Sequence, residues 1–212
     1  MNPLPLKLSL VLLFSLSLLS YEKPNKSKIS VANRPIANYY KTKEKATDAL
    51  TFCMENDYNT DFCILIDMSL HSGIKRFYIW DFATATIQNS FLVSHGCGDE
   101  NWSSDSTKDN PQFSNTKNSH LSSLGKYEIG KRGYSNWGIN IKYLMHGLES
   151  TNDNALSRYI VFHSWQDVGD NETYPKGTPE GWGCPAVSNK SMRILDPILS
   201  KSSKPILMWI YQ

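Results

Sequence analysis

The sequence predicts a mainly β domain with peripheral helices. Stretches rich in β-branched and aromatic residues outnumber the stretches with helical periodicity. Short clusters of Gly, Asn, Asp and Ser separate these stretches, as expected of strands joined by turns. Aromatic residues make up 12% of the 212-residue chain, which contains six Trp and eleven Tyr. Such a content is typical of β-rich domains, in which aromatic side chains pack on sheet faces or line a ligand groove.

Each predicted element rests on the spacing of its apolar residues. One apolar face of helical period predicts a helix over residues 41–57. Ser188 or Asn189 is a candidate cap for a second, short helix that ends at Leu199. Strands are predicted over residues 62–68, 76–82, 85–93, 124–129, 139–144, 158–165 and 206–211.

A long polar segment, residues 98–120, interrupts the strands. It has no periodicity and is dominated by Asp, Asn and Ser. Long loops in compact domains are usually functional or disordered. Because the segment carries Trp102 and Phe113, we interpret it as a flap on the substrate side of a site, with a solvated insertion as the alternative.

The first residues are interpreted as a targeting segment. Residues 1–20 contain Lys7 and then an apolar and serine run, residues 8–19, shorter than the roughly 20 residues of a spanning helix. This pattern predicts a signal peptide, with an uncleaved membrane anchor as the alternative. Residues 21–40 then read as a linker and residues 41–212 as one domain. We therefore expect an exported protein, periplasmic or elsewhere in the cell envelope, that meets a membrane only through an uncleaved leader.

Charge and histidine content restrict the partners. The formal net charge is +2, from 22 basic and 20 acidic side chains. No basic block occurs, and basic residues do not alternate with aromatic ones, so no nucleic-acid partner is expected. His95, Cys97 and Asp99 alternate, but no second cluster completes a metal site. We expect no metal, no organic cofactor and a monomeric protein.

The chain has four cysteines. An even number in an exported chain suggests disulfides, and Cys53 and Cys63, which flank a short polar turn, are the most natural pair. Two disulfides, including Cys97 and Cys184, would leave no free thiol. A catalytic thiol would leave at most one disulfide and one unpaired cysteine.

The most informative string is residues 181–186, Gly-Trp-Gly-Cys-Pro-Ala. A thiol nucleophile needs a partly exposed thiolate and hydrogen-bond donors for an oxyanion. Gly183 allows the backbone to approach a substrate carbonyl, and Pro185 restricts the conformation of Cys184. Cys184 is thus the candidate nucleophile, and the N–H groups of Gly183 and Cys184 are candidate oxyanion donors.

His163 is the candidate general base. It ends an apolar strand-like run and precedes Cys184 by 21 residues, enough for an excursion and a return to a neighbouring strand. From these residues alone, the alternative to a catalytic pair is that Cys184 and His163 both have purely structural roles.

Together these residues resemble the L,D-transpeptidase (YkuD-type) family, in its murein L,D-transpeptidase catalytic-domain branch. The resemblance rests first on His163-Ser164 and on Trp182-Gly183-Cys184. Further stretches that resemble the branch are residues 93–96, 113–115, 122–125, 147–148, 154–155 with Arg158, and 183–186. The resemblance extends over residues 62–211.

The resemblance implies an L,D-transpeptidase-like β-sandwich and a two-step acyl transfer on peptidoglycan stem peptides. Cys184 would attack the carbonyl of the L-centred residue of a tetrapeptide stem and release the terminal D-amino acid. The acyl group would then pass to an amine of another stem, or to water in an L,D-carboxypeptidase. His163 would take the thiol proton and return it to the leaving amine. A rival reading is a non-catalytic, disulfide-stapled cell-wall-binding module.

Two residues depart from the usual family string. Trp182 stands where the family commonly has His, so we expect it to pack or to line the groove. Gly181 stands where Ser or Thr is common, which leaves no hydroxyl there. Upstream, residues 94–97 (Ser-His-Gly-Cys) match the letters of the string, but no His lies about twenty residues before Cys97. We therefore place the nucleophile at Cys184.

Other residues are candidates for substrate contact. His95 and Gly96 match a motif of the branch and are expected to line the substrate site. Arg158 and Asn154 are candidates for binding a stem-peptide carboxylate, with an ordinary strand-edge salt bridge as the alternative. Ser164 is a candidate for substrate contact. The group that orients His163 is expected to be either Ser164 or a backbone carbonyl.

Overall fold

The structure, a computed structural model, describes Met1 and residues 34–212. The predicted signal peptide and linker residues 21–33 therefore lie outside the described residues. The helices are α1 (Tyr39–Glu55) and α2 (Asn189–Ser200). The strands are β1 (Phe62–Asp67), β2 (Phe77–Asp81), β3 (Thr86–Phe91), β4 (Gly125–Tyr134), β5 (Ile141–Gly147), β6 (Val161–Ser164), β7 (Ala186–Val187) and β8 (Ile206–Tyr211).

The eight strands form one mixed sheet in the order β3-β2-β1-β8-β4-β5-β6-β7. The last strand of the chain, β8, lies in the middle, parallel to β1 and antiparallel to β4. A mainly β domain with two helices confirms the predicted fold class.

Side chains of β1 point alternately to the two faces of the sheet, and both faces are buried. Ile64 and Ile66 point into a cluster shared with α2, whereas Cys63 and Leu65 point into a cluster shared with α1. Successive side chains of a strand face opposite ways, so a strand covered on both sides reads as a continuous apolar run.

The element boundaries differ from the prediction mainly at chain ends and turns. Helix α1 starts at Tyr39 because the side chain of Asn38 accepts hydrogen bonds from the N–H groups of Tyr40 and Lys41. Ser188 caps α2, as one of the two predicted alternatives. The strand predicted from residue 158 begins only at Val161, since turns occupy residues 150–159.

Two short parallel strands place the candidate site. In β6, His163 pairs with Ala186 of β7, and the N–H of His163 donates to the carbonyl of Pro185 at 3.4 Å. Cys184 thus ends the loop that enters β7, beside the strand that carries His163. No helix within the described residues is long and apolar enough to cross a membrane.

Candidate active site

Cys184 is half-buried in the loop two residues before β7, and it lines two cavities. His163 and Trp137 line the same two cavities, so the predicted nucleophile and base face a common space. The Cys184 Sγ accepts a hydrogen bond from the N–H of Val161 at 3.4 Å. This bond joins the nucleophile to the strand that carries the base.

Two opposing effects act on the pKa of the Cys184 thiol. Burial raises this pKa, whereas the Val161 N–H and the charges of Arg158 and Lys142 lower it. The net shift is upward, so the thiol is protonated at neutral pH in the free protein. A nearby base must therefore remove the proton before the sulfur can attack.

His163 has the tautomer that such a base requires. Its Nδ1 lies 2.9 Å from the carbonyl oxygen of Ser164. Because a carbonyl oxygen only accepts, Nδ1 carries the hydrogen and Nε2 keeps a free lone pair. Burial lowers the pKa of His163, so the ring is neutral at pH 7.

The group that orients His163 is therefore the Ser164 backbone carbonyl, one of the predicted candidates. The Ser164 side chain is fully buried, and its hydroxyl accepts a hydrogen bond from the N–H of Ile139 at 3.0 Å. This placement leaves Ser164 no surface for the substrate contact that the sequence suggested.

Gly183 satisfies a local backbone constraint next to the nucleophile. Its φ is +97°, and an added Cβ would lie 2.5 Å from the carbonyl oxygen of Leu121. Within residues 34–212, the N–H groups of Gly183 and Cys184 donate no backbone or side-chain hydrogen bond. Their role as oxyanion donors stays a prediction.

Gly183→Ala is expected to damage both folding and acylation. A methyl group would clash with Leu121 and hold Ala in an unfavourable φ, which costs about 1–3 kcal/mol. Thermal unfolding and the rate of thiol acylation would show the effect. Gly169→Ala is the matched control, because its added Cβ would have no neighbour closer than 3.6 Å. Equal behaviour of the two variants would contradict the constraint.

Two buried serines that the sequence analysis did not single out fix the loop before β7. The hydroxyl of Ser94 accepts from the N–H of Ala186 at 3.1 Å and donates to the carbonyl of Cys184 at 3.4 Å. The hydroxyl of Ser122 donates to the carbonyl of Gly183 at 3.1 Å and accepts from the N–H of Gly96 at 3.1 Å. Both serines lie in stretches that carry the family resemblance, which was the available signal.

His95 and Gly96 are buried beside the candidate site and are not exposed on its surface. His95 is fully buried; its Nδ1 is 2.8 Å from Nη2 of Arg76, and its Nε2 is 2.8 Å from the hydroxyl of Thr107. Arg76 can only donate, so His95 carries its hydrogen on Nε2. Gly96 is buried too, and a Cβ there would lie 2.2 Å from the carbonyl of His120. This burial argues against the substrate contacts expected of both residues.

Glu180 ties the segment 98–120 to the nucleophile loop. Its carboxylate is fully buried, and its Oε1 accepts the N–H of Thr107 at 2.7 Å and lies 3.6 Å from Nε2 of His95. Its backbone carbonyl accepts from the N–H of Ser103, and its N–H donates to Ser104, both at 2.8 Å. Residues 103–107 of the segment are thus held against Glu180, while the role of the segment as a substrate-side flap stays a prediction.

Arg158 and Asn154 hold another part of that segment. The guanidinium of Arg158 donates to the carbonyls of Ser114 and Leu121 and to the hydroxyls of Ser119 and Ser123. The side chain of Asn154 donates to the carbonyl of Asn115 at 3.2 Å. These bonds give Arg158 and Asn154 structural roles, while Arg158 also lines the rim cavity and Asn154 stays exposed. The predicted carboxylate contact stays a prediction.

Trp182 lines the groove, as its place in the string predicts. Its side chain is 62% exposed and stacks on His120, with ring centroids 5.1 Å apart. The pair forms the rim between two cavities. Its neighbour Gly181 is tied by its N–H to the carbonyl of His95 at 2.8 Å.

Three cavities meet around this rim and the nucleophile. The aromatic cavity has a volume of about 120 Å³ and is lined by Ser94, Trp102, Trp137, His163, Trp165, Gly181, Trp182, Cys184 and Ala186. The lysine cavity, about 280 Å³, contains Lys142 with Ser135, Asn136, His163 and Cys184. The rim cavity, about 240 Å³, contains Lys117, Arg158, His120 and Trp182.

All four cysteines are free thiols in the structure. Cys53 and Cys63, the most natural pair by sequence, lie buried in the cluster beneath α1 but form no bond. Burial raises the pKa of Cys53 to about 11, so this thiol is unreactive at neutral pH. Cys97 is buried as well, which leaves Cys184 as the most exposed of the four thiols. No group of three metal-ligating side chains occurs among residues 34–212.

Acid is expected to destabilise the domain. Burial lowers the pKa values of His71, His95 and His163, so below about pH 6.5 the unfolded chain binds more protons than the folded one. The free energy of unfolding should be highest above that pH and fall as the pH drops toward the folded-state pKa values. Glu180 opposes this trend, since burial raises its pKa.

Urea unfolding at pH 7.5 and pH 5.5 would measure this dependence. His163→Gln removes one of the three titrating groups, so its unfolding midpoint should change less between the two pH values. An unchanged midpoint in the unmodified protein would contradict the account.

Comparison with known proteins decides the family. Residues 34–211 match a family model described as the L,D-transpeptidase catalytic domain. The chain belongs to this L,D-transpeptidase family. The match confirms the resemblance that the sequence motifs indicated. No curated protein matches the chain.

Solved structures similar to this L,D-transpeptidase domain are distant. Bd1075 from Bdellovibrio bacteriovorus is 15% identical, with a TM-score of 0.41, over 72% of this chain and 49% of that one. The helical cell shape determining protein Pgp2 from Campylobacter jejuni is 12% identical, with a TM-score of 0.43, over 79% and 54%. An L,D-transpeptidase from Xylanimonas cellulosilytica is 11% identical, with a TM-score of 0.37, over 76% and 68%. The chain thus spans about half the length of the first two proteins, and the family assignment rests on the family model.

Proposed function

We propose that this protein is an L,D-transpeptidase that cross-links or remodels the cell wall through a thioester at Cys184. Its substrates would be peptidoglycan stem peptides, and it would act as an exported monomer. Family membership supports the reaction class. The observation that carries the assignment of the residues is the tautomer of His163: its Nδ1–H donates to Ser164, and Nε2 remains free beside the cavities that Cys184 lines.

In the first step, His163 Nε2 takes the proton of the Cys184 thiol. The sulfur attacks the carbonyl carbon of the L-centred residue of a tetrapeptide stem. The N–H groups of Gly183 and Cys184 stabilise the oxyanion of the tetrahedral intermediate. When the intermediate collapses, His163 returns the proton to the departing amine, and the terminal D-amino acid leaves.

In the second step, a nucleophile attacks the thioester and the thiolate leaves. His163 takes a proton from the nucleophile and returns it to Cys184. An amine of a second stem gives a cross-link, whereas water gives a trimmed tripeptide stem. The first outcome is transpeptidation and the second is carboxypeptidation through the same acyl-enzyme.

Product analysis separates these outcomes. A purified tetrapeptide stem would be incubated with the protein, with and without a second stem that carries a free side-chain amine, and the products weighed by mass spectrometry. We expect a cross-linked dimer with the amine present and the loss of one D-amino acid from each donor. Tripeptide alone under both conditions would indicate a carboxypeptidase. Unchanged tetrapeptide would support a non-catalytic wall-binding module, although without a disulfide staple, because all four thiols are free.

A further inference from the structure

The aromatic, lysine and rim cavities differ in charge, and Cys184 lines the first two of them. The lysine cavity contains Lys142, and the rim cavity contains Lys117 and Arg158. Among the described residues that line the aromatic cavity, none is acidic or basic apart from His163, whose pKa burial lowers. A cationic group approaching Cys184 is therefore repelled from two sides and meets no fixed charge on the third.

The walls of the aromatic cavity are four tryptophans. Trp102 stacks on the buried Trp165 with ring centroids 5.0 Å apart, and Trp137 meets Trp165 at 6.1 Å. Trp102 and Trp137 stay 45% and 44% exposed, and Trp182 closes the opposite side. Such clustered indole rings attract a cation to their faces, and Trp does so more strongly than Tyr or Phe.

The aromatic cavity also reaches the general base. The rings of Trp137 and His163 lie 6.5 Å apart, and both residues line the cavity together with Cys184. A small cation held against Trp137 would thus lie within reach of both the base and the acylated sulfur. Of the two cavities that Cys184 lines, Trp102 lines only the aromatic one, whereas Trp137 lines both.

We propose that the aromatic cavity is the acceptor subsite, where the primary ammonium of the incoming stem binds by cation–π contact with Trp102 and Trp137. This inference rests on the proposed function. It makes the two tryptophans determinants of specificity for an amine over water. The lysine cavity, which carries a positive charge, is correspondingly suited to a carboxylate of the donor stem.

In the second step, the amine bound in the aromatic cavity attacks the thioester at Cys184. The bound ammonium gives one proton to His163 Nε2, which releases it to solvent. The neutral nitrogen attacks the thioester carbon, so that a C–N bond forms and the C–S bond breaks with its electron pair left on Cys184. His163 takes the remaining extra proton from nitrogen and passes it to the thiolate. The net products are an amide, the free thiol and one proton.

The test uses a cation that cannot react. Choline carries a quaternary ammonium, and 3,3-dimethylbutan-1-ol is its neutral counterpart of nearly equal shape. We expect choline to quench the intrinsic tryptophan fluorescence and to inhibit cross-linking competitively with the amine acceptor. The neutral alcohol should do neither at equal concentration. Equal effects of the two compounds, or no effect of choline, would overturn the proposal.

Variants give a second, independent readout. Trp102→Leu and Trp137→Leu should each raise the KM for the amine acceptor roughly 3- to 30-fold and shift products toward hydrolysis, and Trp102→Phe should lie between Leu and Trp. Acylation by a carbapenem should change less than about 2-fold in Trp102→Leu, since Trp102 does not line the lysine cavity assigned to the donor stem. Trp209→Leu, in the cluster beneath α1, controls for the loss of a tryptophan.

Failure of the inference and failure of the proposed function look different. Normal acylation with an unchanged acceptor KM in Trp102→Leu would contradict the acceptor subsite alone. Absence of an acyl-enzyme and of any cross-link in the unmodified protein would contradict the proposed function. The fluorescence response to choline would still report on the site in that case. If one Leu variant does not fold, the other is used. The choline experiment needs only the unmodified protein.

Discussion

His163→Ala is expected to slow acylation of Cys184 by roughly 10²- to 10⁴-fold, the usual contribution of a general acid–base residue. Burial holds the thiol protonated at neutral pH, and His163, whose Nδ1 is bonded to the Ser164 carbonyl, lines the same cavity as Cys184. Without the His163 imidazole, the base proposed to take the Cys184 thiol proton is missing. Stopped-flow or mass-spectrometric timing of acylation by a carbapenem, an acylating mimic of this substrate class by family resemblance, would measure the rate.

The pH profile distinguishes a base from a merely structural ring. Burial lowers the pKa of His163, so the acylation rate of the unmodified protein should persist below pH 6.5 and then fall as the ring is protonated. His163→Ala should lose that acid limb, and added imidazole should restore part of the rate. His120→Ala is the control, because this exposed ring stacks on Trp182 at the rim. A decrease of less than about 3-fold in His163→Ala would show that another group takes the proton.

The fold was predictable where one periodicity dominates. The strands near residues 62–68 and 206–211 are apolar runs because both faces of the sheet are covered, and each lies close to its predicted bounds. Strand β7 was missed because it has only two residues, too few for any pattern. The adjacency of β1 and β8 was equally hidden, since pairing between distant segments leaves no local signal.

The site was predictable where the chemistry needs a residue type in a fixed local sequence. Cys184, Gly183 and His163 belong to this group; Cys184 and His163 line two common cavities, and Gly183 adopts a positive φ beside Cys184. The sequence could not show which polar atoms are used inside the fold. His95 and Arg158 bond to Thr107 and Ser114 of segment 98–120.

The tryptophan cluster shows the limit most clearly. Trp102, Trp137 and Trp165 lie in three separate segments, and only the folded chain brings their rings within 6.1 Å of one another. The sequence indicated a flap with an aromatic residue and a ligand groove. It could not indicate that, among the described residues, the aromatic cavity is lined by no acidic or basic residue other than His163, or that the lysine and rim cavities are lined by positively charged residues.

Cys184→Ala is expected to abolish acylation completely, because no other thiol among the described cysteines combines exposure with a free base. Cys97→Ala should leave the rate nearly unchanged, since the Cys97 thiol is buried and burial raises its pKa. Unfolding midpoints of both variants would show that each is folded.

The most direct measurement is the intact mass of the protein after incubation with a carbapenem, with Cys184→Ala and Cys97→Ala treated in parallel. The account predicts one covalent adduct on the unmodified protein and on Cys97→Ala, mapped to the peptide that contains Cys184, and none on Cys184→Ala. An adduct that survives in Cys184→Ala and disappears in Cys97→Ala would contradict the assignment of the nucleophile.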